Sequence, residues 1–137
     1  MIGYEEKALC RKIAKAFEIG GKNGCEISTF IKAWLNSQTA LKIYNRDFNE
    51  IAQSGFYVFN SLKQETVLTN IYKNDNYYID VFFWAGYIIT YLQFYLNVPP
   101  IEIWNKYDIL AFVASYDVLH TLSNNNAAEE FIHEYKK

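Results

Sequence analysis

The sequence predicts an all-α fold, a single compact bundle of about seven to nine helices around one apolar helix. Three observations point there. The stretch Tyr77 to Val98, YYIDVFFWAGYIITYLQFYLNV, carries one charge, Asp80, and is apolar or aromatic around nearly its whole circumference. A helix of that kind has to be enclosed by other helices or by lipid. Its neighbours in the chain show apolar residues at helical spacing, as packing partners would. No segment alternates with period two between turn pairs, so no sheet is needed.

In chain order, Leu9, Ile13 and Phe17 fall four apart between Tyr4 and Ile19, with Lys7, Arg11 and Lys15 forming a second row. This is an amphipathic helix, which Gly20-Gly21 and Asn23-Gly24 are expected to stop. Glu26 to Leu35 holds Ile27, Phe30, Ile31, Trp34 and Leu35, the full pattern of a core-facing helix. Ser37 then suits the N-cap of a short helix facing inward through Ala40, Leu41 and Tyr44, closed by Asn45-Arg46. Asp47 to Glu50 has the form of a capping box and is expected to open a helix burying Ile51, Gly55, Val58, Phe59 and Leu62. Gly55 there predicts close approach of another helix. A short helix over Val67 to Tyr72 and the loop Asn74-Asp75-Asn76 lead into the central helix.

Within the central helix, Gly86, Thr90, Gln93 and Asn97 recur at i, i+4, i+7 and i+11 and share one narrow stripe. Val81 to Ile101 is 21 residues without a charge, and about 20 apolar residues suffice to cross a bilayer. The polar residues inside it, tyrosines spread along its length and the lack of a Lys or Arg cluster at either end favour a helix buried in protein. Pro99-Pro100 ends it and offers Pro at the first position of a piece containing Ile101, Ile103 and Trp104. Asp108 suits the cap of a helix that buries Ile109, Phe112, Val113 and Tyr116 and runs to about His120-Thr121. Ser123 to Asn126 is expected as a loop, with Asn126 and Glu129 capping a last helix that buries Ala128, Phe131, Ile132 and Tyr135.

A chain of 137 residues suits one helical domain over 1–137 and buries enough surface to need neither disulfide nor metal. Thirteen basic against fifteen acidic residues leave a net charge of -2, which argues against grip on a phosphate backbone as the main task. A DNA-binding alternative would rest on the row Lys7, Arg11 and Lys15, diluted by Glu5, Glu6 and Glu18. Cys10 and Cys25 have no metal-type spacing and read as reduced, packed thiols. The first residues, MIGYEEKALCRK, contain no apolar secretion segment, so a cytoplasmic protein is expected. Aromatic residues make up 18%, with twelve Tyr, more than a small core requires, and Tyr suits surfaces that are half wet.

Phosphate-cradling glycine loops, His-Glu-x-x-His, paired Cys-x-x-Cys and Gly-x-Ser-x-Gly are all missing from the sequence. The one constellation with chemical potential is Asp117 and His120, at i and i+3, where a carboxylate can orient an imidazole. The favoured reading is a helix-terminal His bonded to Asp117 or a backbone carbonyl, with Tyr116, Asp117 and His120 bracing the helix end; a small enzyme or metal protein built on that pair is the alternative. Glu129 and His133 make a second pair, but no third ligand follows from spacing, so no metal or cofactor is assigned. No catalytic residue is assigned either.

Two stretches, SYDVLHTLSNNNAAEEFI and FFWAGYIITYLQFYLN, resemble a group of small uncharacterised bacterial helical proteins. These carry a Tyr-Asp-Val-Leu-His-Thr box in a domain of unknown function, preceded by an aromatic Trp-x-Gly-Tyr-Ile helix. In this chain the box is Tyr116, Asp117, Val118, Leu119, His120 and Thr121, and the helix positions are Trp84, Gly86, Tyr87 and Ile88. Where relatives carry Arg and Trp after the helix motif, this chain has Thr90 and Leu92. Members of the group are often encoded beside ADP-ribosyltransferase-like toxins, so the resemblance implies an antitoxin-like, non-enzymatic protein partner. Trp84, Tyr87, Tyr116, Asp117, His120 and Thr121 are the binding candidates it implies, with Trp34 and Trp104 as further aromatic anchors. Self-association through such a surface is left open.

Untagged protein is expected in the soluble fraction of a detergent-free lysate after high-speed sedimentation. Recovery only with membranes would show that the uncharged helix meets lipid.

Overall fold

A computed structural model describes residues 2–47, 52–70 and 73–137. Among them are nine helices and no strand. They are α1 (Tyr4–Lys22), α2 (Ile27–Leu35), α3 (Gln38–Tyr44), α4 (Gly55–Glu65), α5 (Asn76–Leu96), α6 (Pro100–Lys106), α7 (Ile109–Ala114), α8 (Tyr116–Leu119) and α9 (Asn124–Glu134). One isolated antiparallel bridge joins Tyr107 to Lys136 and fastens the chain end beside α6. The all-α expectation and the placing of the apolar helix at the centre both hold. One hydrophobic cluster draws side chains from all nine helices.

α1 lies antiparallel along α5, and among the described residues this is the most extensive contact between two helices. The close approach comes from Gly86. A Cβ there would meet the Ile13 carbonyl oxygen and Phe17 Cγ at 2.8 Å and Ala14 Cα at 2.9 Å. Further along the same seam Gly21 receives the Phe82 ring, 2.9 Å from where its Cβ would stand. The polar stripe of α5 therefore faces its principal partner instead of water. Thr90 is buried and donates its hydroxyl to the Gly86 carbonyl at 2.8 Å, and Gln93 is buried as well. Only Asn97, in the left-handed conformation that ends α5, reaches the surface, where it accepts a hydrogen bond from Tyr44.

Several expected helix ends move, each for a tertiary reason. Gly20-Gly21 do not stop α1, which runs on to Lys22 and is capped at Asn23. The two glycines are packing sites, for the Phe30 ring stands 2.5 Å from where the Gly20 Cβ would be. α4 opens at Gly55 with Ser54 as its cap, not at Asp47. Asp47 instead completes the end of α3, its amide donating to the Lys42 carbonyl at 2.8 Å. Phe48 to Ile51 lie outside the described residues. Gly55 does allow close packing, since its Cβ would stand 3.0 Å from the Lys12 carbonyl oxygen of α1. In α3 the inward residues are Thr39, Ala40 and Ile43, while Leu41 and Tyr44 are half-buried.

The short helix expected over Val67 to Tyr72 is not formed at 67–70, and Ile71 and Tyr72 lie outside the described residues. Thr66 turns extended, and polar side chains tie the connector to the end of α1 and the α1–α2 turn: Asn74 donates to the Gly21 and Cys25 carbonyls, and the Cys25 thiol to Asn70. Cys10 and Cys25 are buried and unlinked, and burial first, then the nearby Glu6, pushes the Cys10 thiol up to about 12. The last helix opens at Asn124 with Ser123 as its cap, not at Asn126.

Glu65 closes a second cross-link. Its carboxylate accepts from the Gln38 amide at 2.6 Å and the Thr39 amide at 2.8 Å, capping α3 from the far end of α4. Burial raises this carboxyl, but the Thr39 hydroxyl and the two amides outweigh burial and leave it below its ordinary value. A carboxyl lowered on folding contributes stability above its unfolded pKa and loses it as pH falls through the folded value.

Two outcomes follow. Gly86→Ala is expected to destabilise by about 1–2 kcal/mol in urea unfolding, because overpacking against backbone exceeds the roughly 1 kcal/mol gain in helix propensity. A more stable variant would refute the close-approach account. Glu65→Gln is expected to cost about 1 kcal/mol at neutral pH, with the gap from the native chain closing as acid neutralises Glu65.

Candidate functional site

The site begins with a helix break. After Ala114 the Ser115 hydroxyl turns back to the Ala111 carbonyl at 3.2 Å and itself accepts from the Tyr135 hydroxyl at 3.1 Å. A serine bonded in this way competes with continued helix, so the expected single helix to His120 divides into α7 and α8. Leu119 anchors the four-residue α8 in the core, while Val118 and Leu122 remain exposed. The break swings Tyr116, Asp117 and His120 beside the first turn of α5.

There Tyr116 is the hub. The His120 ring stacks on it at 4.2 Å between centroids and 11° between planes. Trp84 and Tyr77 stand nearly perpendicular to it at 5.4 Å and 5.8 Å, and Tyr78 stands perpendicular to Tyr77 at 5.1 Å. Trp84 in turn stacks on the buried Phe112 of α7, which ties the cluster to the core. Edge-to-face pairs at these separations are attractive beyond their buried area.

Beside the cluster opens a groove of about 310 Å³ between α2, the start of α5 and α7. Ile27, Ser28 and Ile31 form one wall, Tyr77, Tyr78 and Val81 a second, and Leu110, Val113, Ala114 and Tyr116 the third. A larger hollow of about 360 Å³ between α2 and the end of α4 includes Lys32 and Glu65. Its carboxylate is already committed to the α3 cap, so the aromatic groove is the stronger candidate.

Asp117 and His120 do not bond each other, contrary to what their spacing allows. Asp117 Oδ1 accepts from the Tyr77 hydroxyl at 2.5 Å. His120 Nδ1 lies 2.6 Å from the Tyr116 carbonyl, which can only accept, so Nδ1 carries the proton. Asp117 therefore does not orient the His120 ring, which is held by the Tyr116 carbonyl. Among the described residues no group of three or more His, Cys, Asp or Glu side chains is placed to hold a metal ion. Glu129 pairs with the Tyr95 hydroxyl instead of His133.

Electrostatics at the hub are those of aromatic hydroxyls beside carboxylates. The hydrogen bond to Asp117, then burial, pushes Tyr77 up to about 12. Burial raises Tyr116 first, with Asp80 and Asp117 adding to it.

Of the residues singled out in the sequence, Trp84, Tyr116, Asp117 and His120 come together. Thr121 does not join them; its hydroxyl closes a local turn onto the Val118 carbonyl at 2.6 Å. Tyr87 sits on the α1 flank, where burial and then Cys10 raise its hydroxyl. Trp34 is buried in the core and is no surface anchor, whereas Trp104 is half-buried with the Lys137 ammonium over its ring. Sequence reasoning missed Tyr77 and Tyr78 as site residues. Their signal was an aromatic pair directly after the Asn-Asp-Asn loop, where a helix's first turn cannot be enclosed on all sides. Thr90 and Leu92, the departures from the resembled pattern, are both buried and so alter the core, not this surface.

No protein-family model, curated protein or solved structure matches this chain.

Asp117→Asn is expected to bring the Tyr77 phenol back toward the ordinary 10, because a carboxylate acceptor disfavours tyrosinate and an amide does so far less. Titration of carbon-13 labelled tyrosine, with Tyr77→Phe to assign the signal, reads this directly. An unmoved Tyr77 would refute the hydrogen bond as the cause.

Proposed function

We propose that this chain is a non-enzymatic protein-binding module, an antitoxin-like partner that neutralises a neighbouring toxin by covering its active or substrate site. The observation that carries the binding part is the open aromatic groove with its exposed rim. Tyr77 and Tyr78 are 43% and 52% exposed and line the groove together with the half-buried Tyr116, which meets Tyr77 on one side and the half-buried Trp84 on another. Tyrosine and tryptophan concentrate binding energy at interfaces because they bury much area with few rotatable bonds. A rim of this composition offers anchors, while the rings packed behind it hold them in place before a partner arrives. The toxin part is supported by the resemblance of Tyr116 to Thr121 and of the Trp84 helix to proteins encoded beside toxins. A cytoplasmic location accords with such a role.

The test is co-expression with the product of the adjacent reading frame. The neighbour is expected to arrest growth alone, to be harmless when this chain is present, and to co-purify with it. Tyr77→Ala combined with Tyr78→Ala should weaken capture at least roughly tenfold without unfolding the bundle, since both side chains are exposed on the groove and interface anchors cost about 2 kcal/mol or more. A harmless neighbour, or a toxic one that never binds, would remove the antitoxin reading.

A further inference from the structure

The aromatic groove has a charge preference as well as a shape. None of its lining residues is Lys or Arg. An exposed carboxylate stands at its edge: Asp117, at the start of α8, accepts from the hydroxyl of the lining Tyr77 at 2.5 Å, and Asp80, exposed one turn into α5, joins it in raising the Tyr116 hydroxyl. Neither carboxylate forms a salt bridge among the described residues, in contrast to Glu6, Glu18 and Glu102, which each hold a basic side chain. Asp117 uses Oδ1 for Tyr77, and its Oδ2 has no hydrogen-bond partner among the described residues. Tyr77 stands nearly perpendicular to Tyr78 and to Tyr116, at 83° and 86°, and all three rings line the groove.

Perpendicular aromatic walls with carboxylates at the rim favour an organic cation, because ring faces carry negative potential and the carboxylates add to it. Among biological cations a guanidinium suits this frame best: it is planar enough to lie against a tyrosine face while its N–H groups reach a carboxylate. We propose that the groove is a docking site for an arginine side chain presented by a basic segment of the protein partner.

This rests on the binding-module reading and specifies the chemistry of that partner. A second copy of this chain is a poor occupant. Of its two arginines, Arg46 is already paired with Glu6 at 2.6 Å and lies 4.9 Å from the Phe94 ring centroid, which leaves only Arg11 on α1.

The test is a proton–nitrogen-15 titration of the full chain with N-acetyl-arginine methylamide, against the citrulline analogue, which has nearly the same shape and no charge. Saturable shifts are expected at Ser28, Ile31, Tyr77 and Val113, with the citrulline analogue at least roughly tenfold weaker. Asp117→Asn and Asp80→Asn are each expected to weaken arginine binding several-fold, and added salt to weaken it further. Both positions are exposed, and the unchanged remainder of the spectrum reports that the variants fold. Equal binding of citrulline, shifts located elsewhere, or no saturable shift would overturn the proposal. So would a dimer in sedimentation that Arg11→Gln abolishes, since the chain would then fill its own groove. A neighbour that co-purifies while the arginine probe fails leaves the module reading standing and removes only the cation site. A probe that binds without any captured partner does the reverse.

Discussion

The close contact of α1 with α5 at Gly86 is the constraint on which the rest of this structure depends. With backbone atoms of Ile13 and Ala14 within about 3 Å of where a side chain would begin, no residue but glycine allows the two longest helices to meet at this depth. Once they do, the polar stripe of α5 is sealed, and its members have to be satisfied inside. Thr90 manages this by bonding the carbonyl one turn earlier, whereas the Gln93 Oε1 finds no partner among the described residues. The opposite flank of α5 is left to cover with shorter helices. These cover its middle well and its first turn poorly, and the first turn is where the aromatic groove opens.

That groove illustrates how a core and a surface can share one set of aromatic rings. Phe112 is fully buried and stacks on Trp84, Trp84 meets Tyr116, and Tyr116 meets Tyr77 at the solvent edge. A continuous path of ring contacts thus runs from the interior to the rim. Side chains fixed from behind have little further freedom to lose on being covered. The hydroxyls and carboxylates along the rim keep that surface wettable, so it is not a plain hydrophobic patch. The stack of His120 on Tyr116 and its bond to the Tyr116 carbonyl make the imidazole part of the frame.

Long-range side-chain caps do a related job elsewhere. Glu65 reaches from the end of α4 to the start of α3, and Asn74 from the start of α5 to the α1–α2 turn. Each satisfies backbone groups that a local residue would otherwise leave open, and each joins segments distant in sequence. At 67–70, where a local helix is expected and none forms, such bonds hold the chain: a connector tied by its neighbours need not supply its own hydrogen bonds.

The sequence by itself determined the helical class, the central position of the Tyr77 to Val98 segment, the inward faces of most helices, and the caps at Ser37 and Asp108. Those features follow from spacing over a few residues, where the 3.6-residue period and the chemistry of a cap act directly. Only the tertiary structure decided that Gly20-Gly21 sit inside α1, that Ser115 divides the helix expected to reach His120, and that the stripe of Gly86, Thr90 and Gln93 faces protein. A glycine stops a helix or admits a ring according to what lies opposite it, and local spacing carries no record of that. The site is legible in part: Trp84, Tyr116, Asp117 and His120 stand out in the sequence, and of the two partners open to His120, Asp117 or a backbone carbonyl, it takes the Tyr116 carbonyl while Asp117 holds Tyr77. The groove itself was not legible, because Ile31, Tyr78 and Val113 become neighbours only when α2, α5 and α7 pack around a common core.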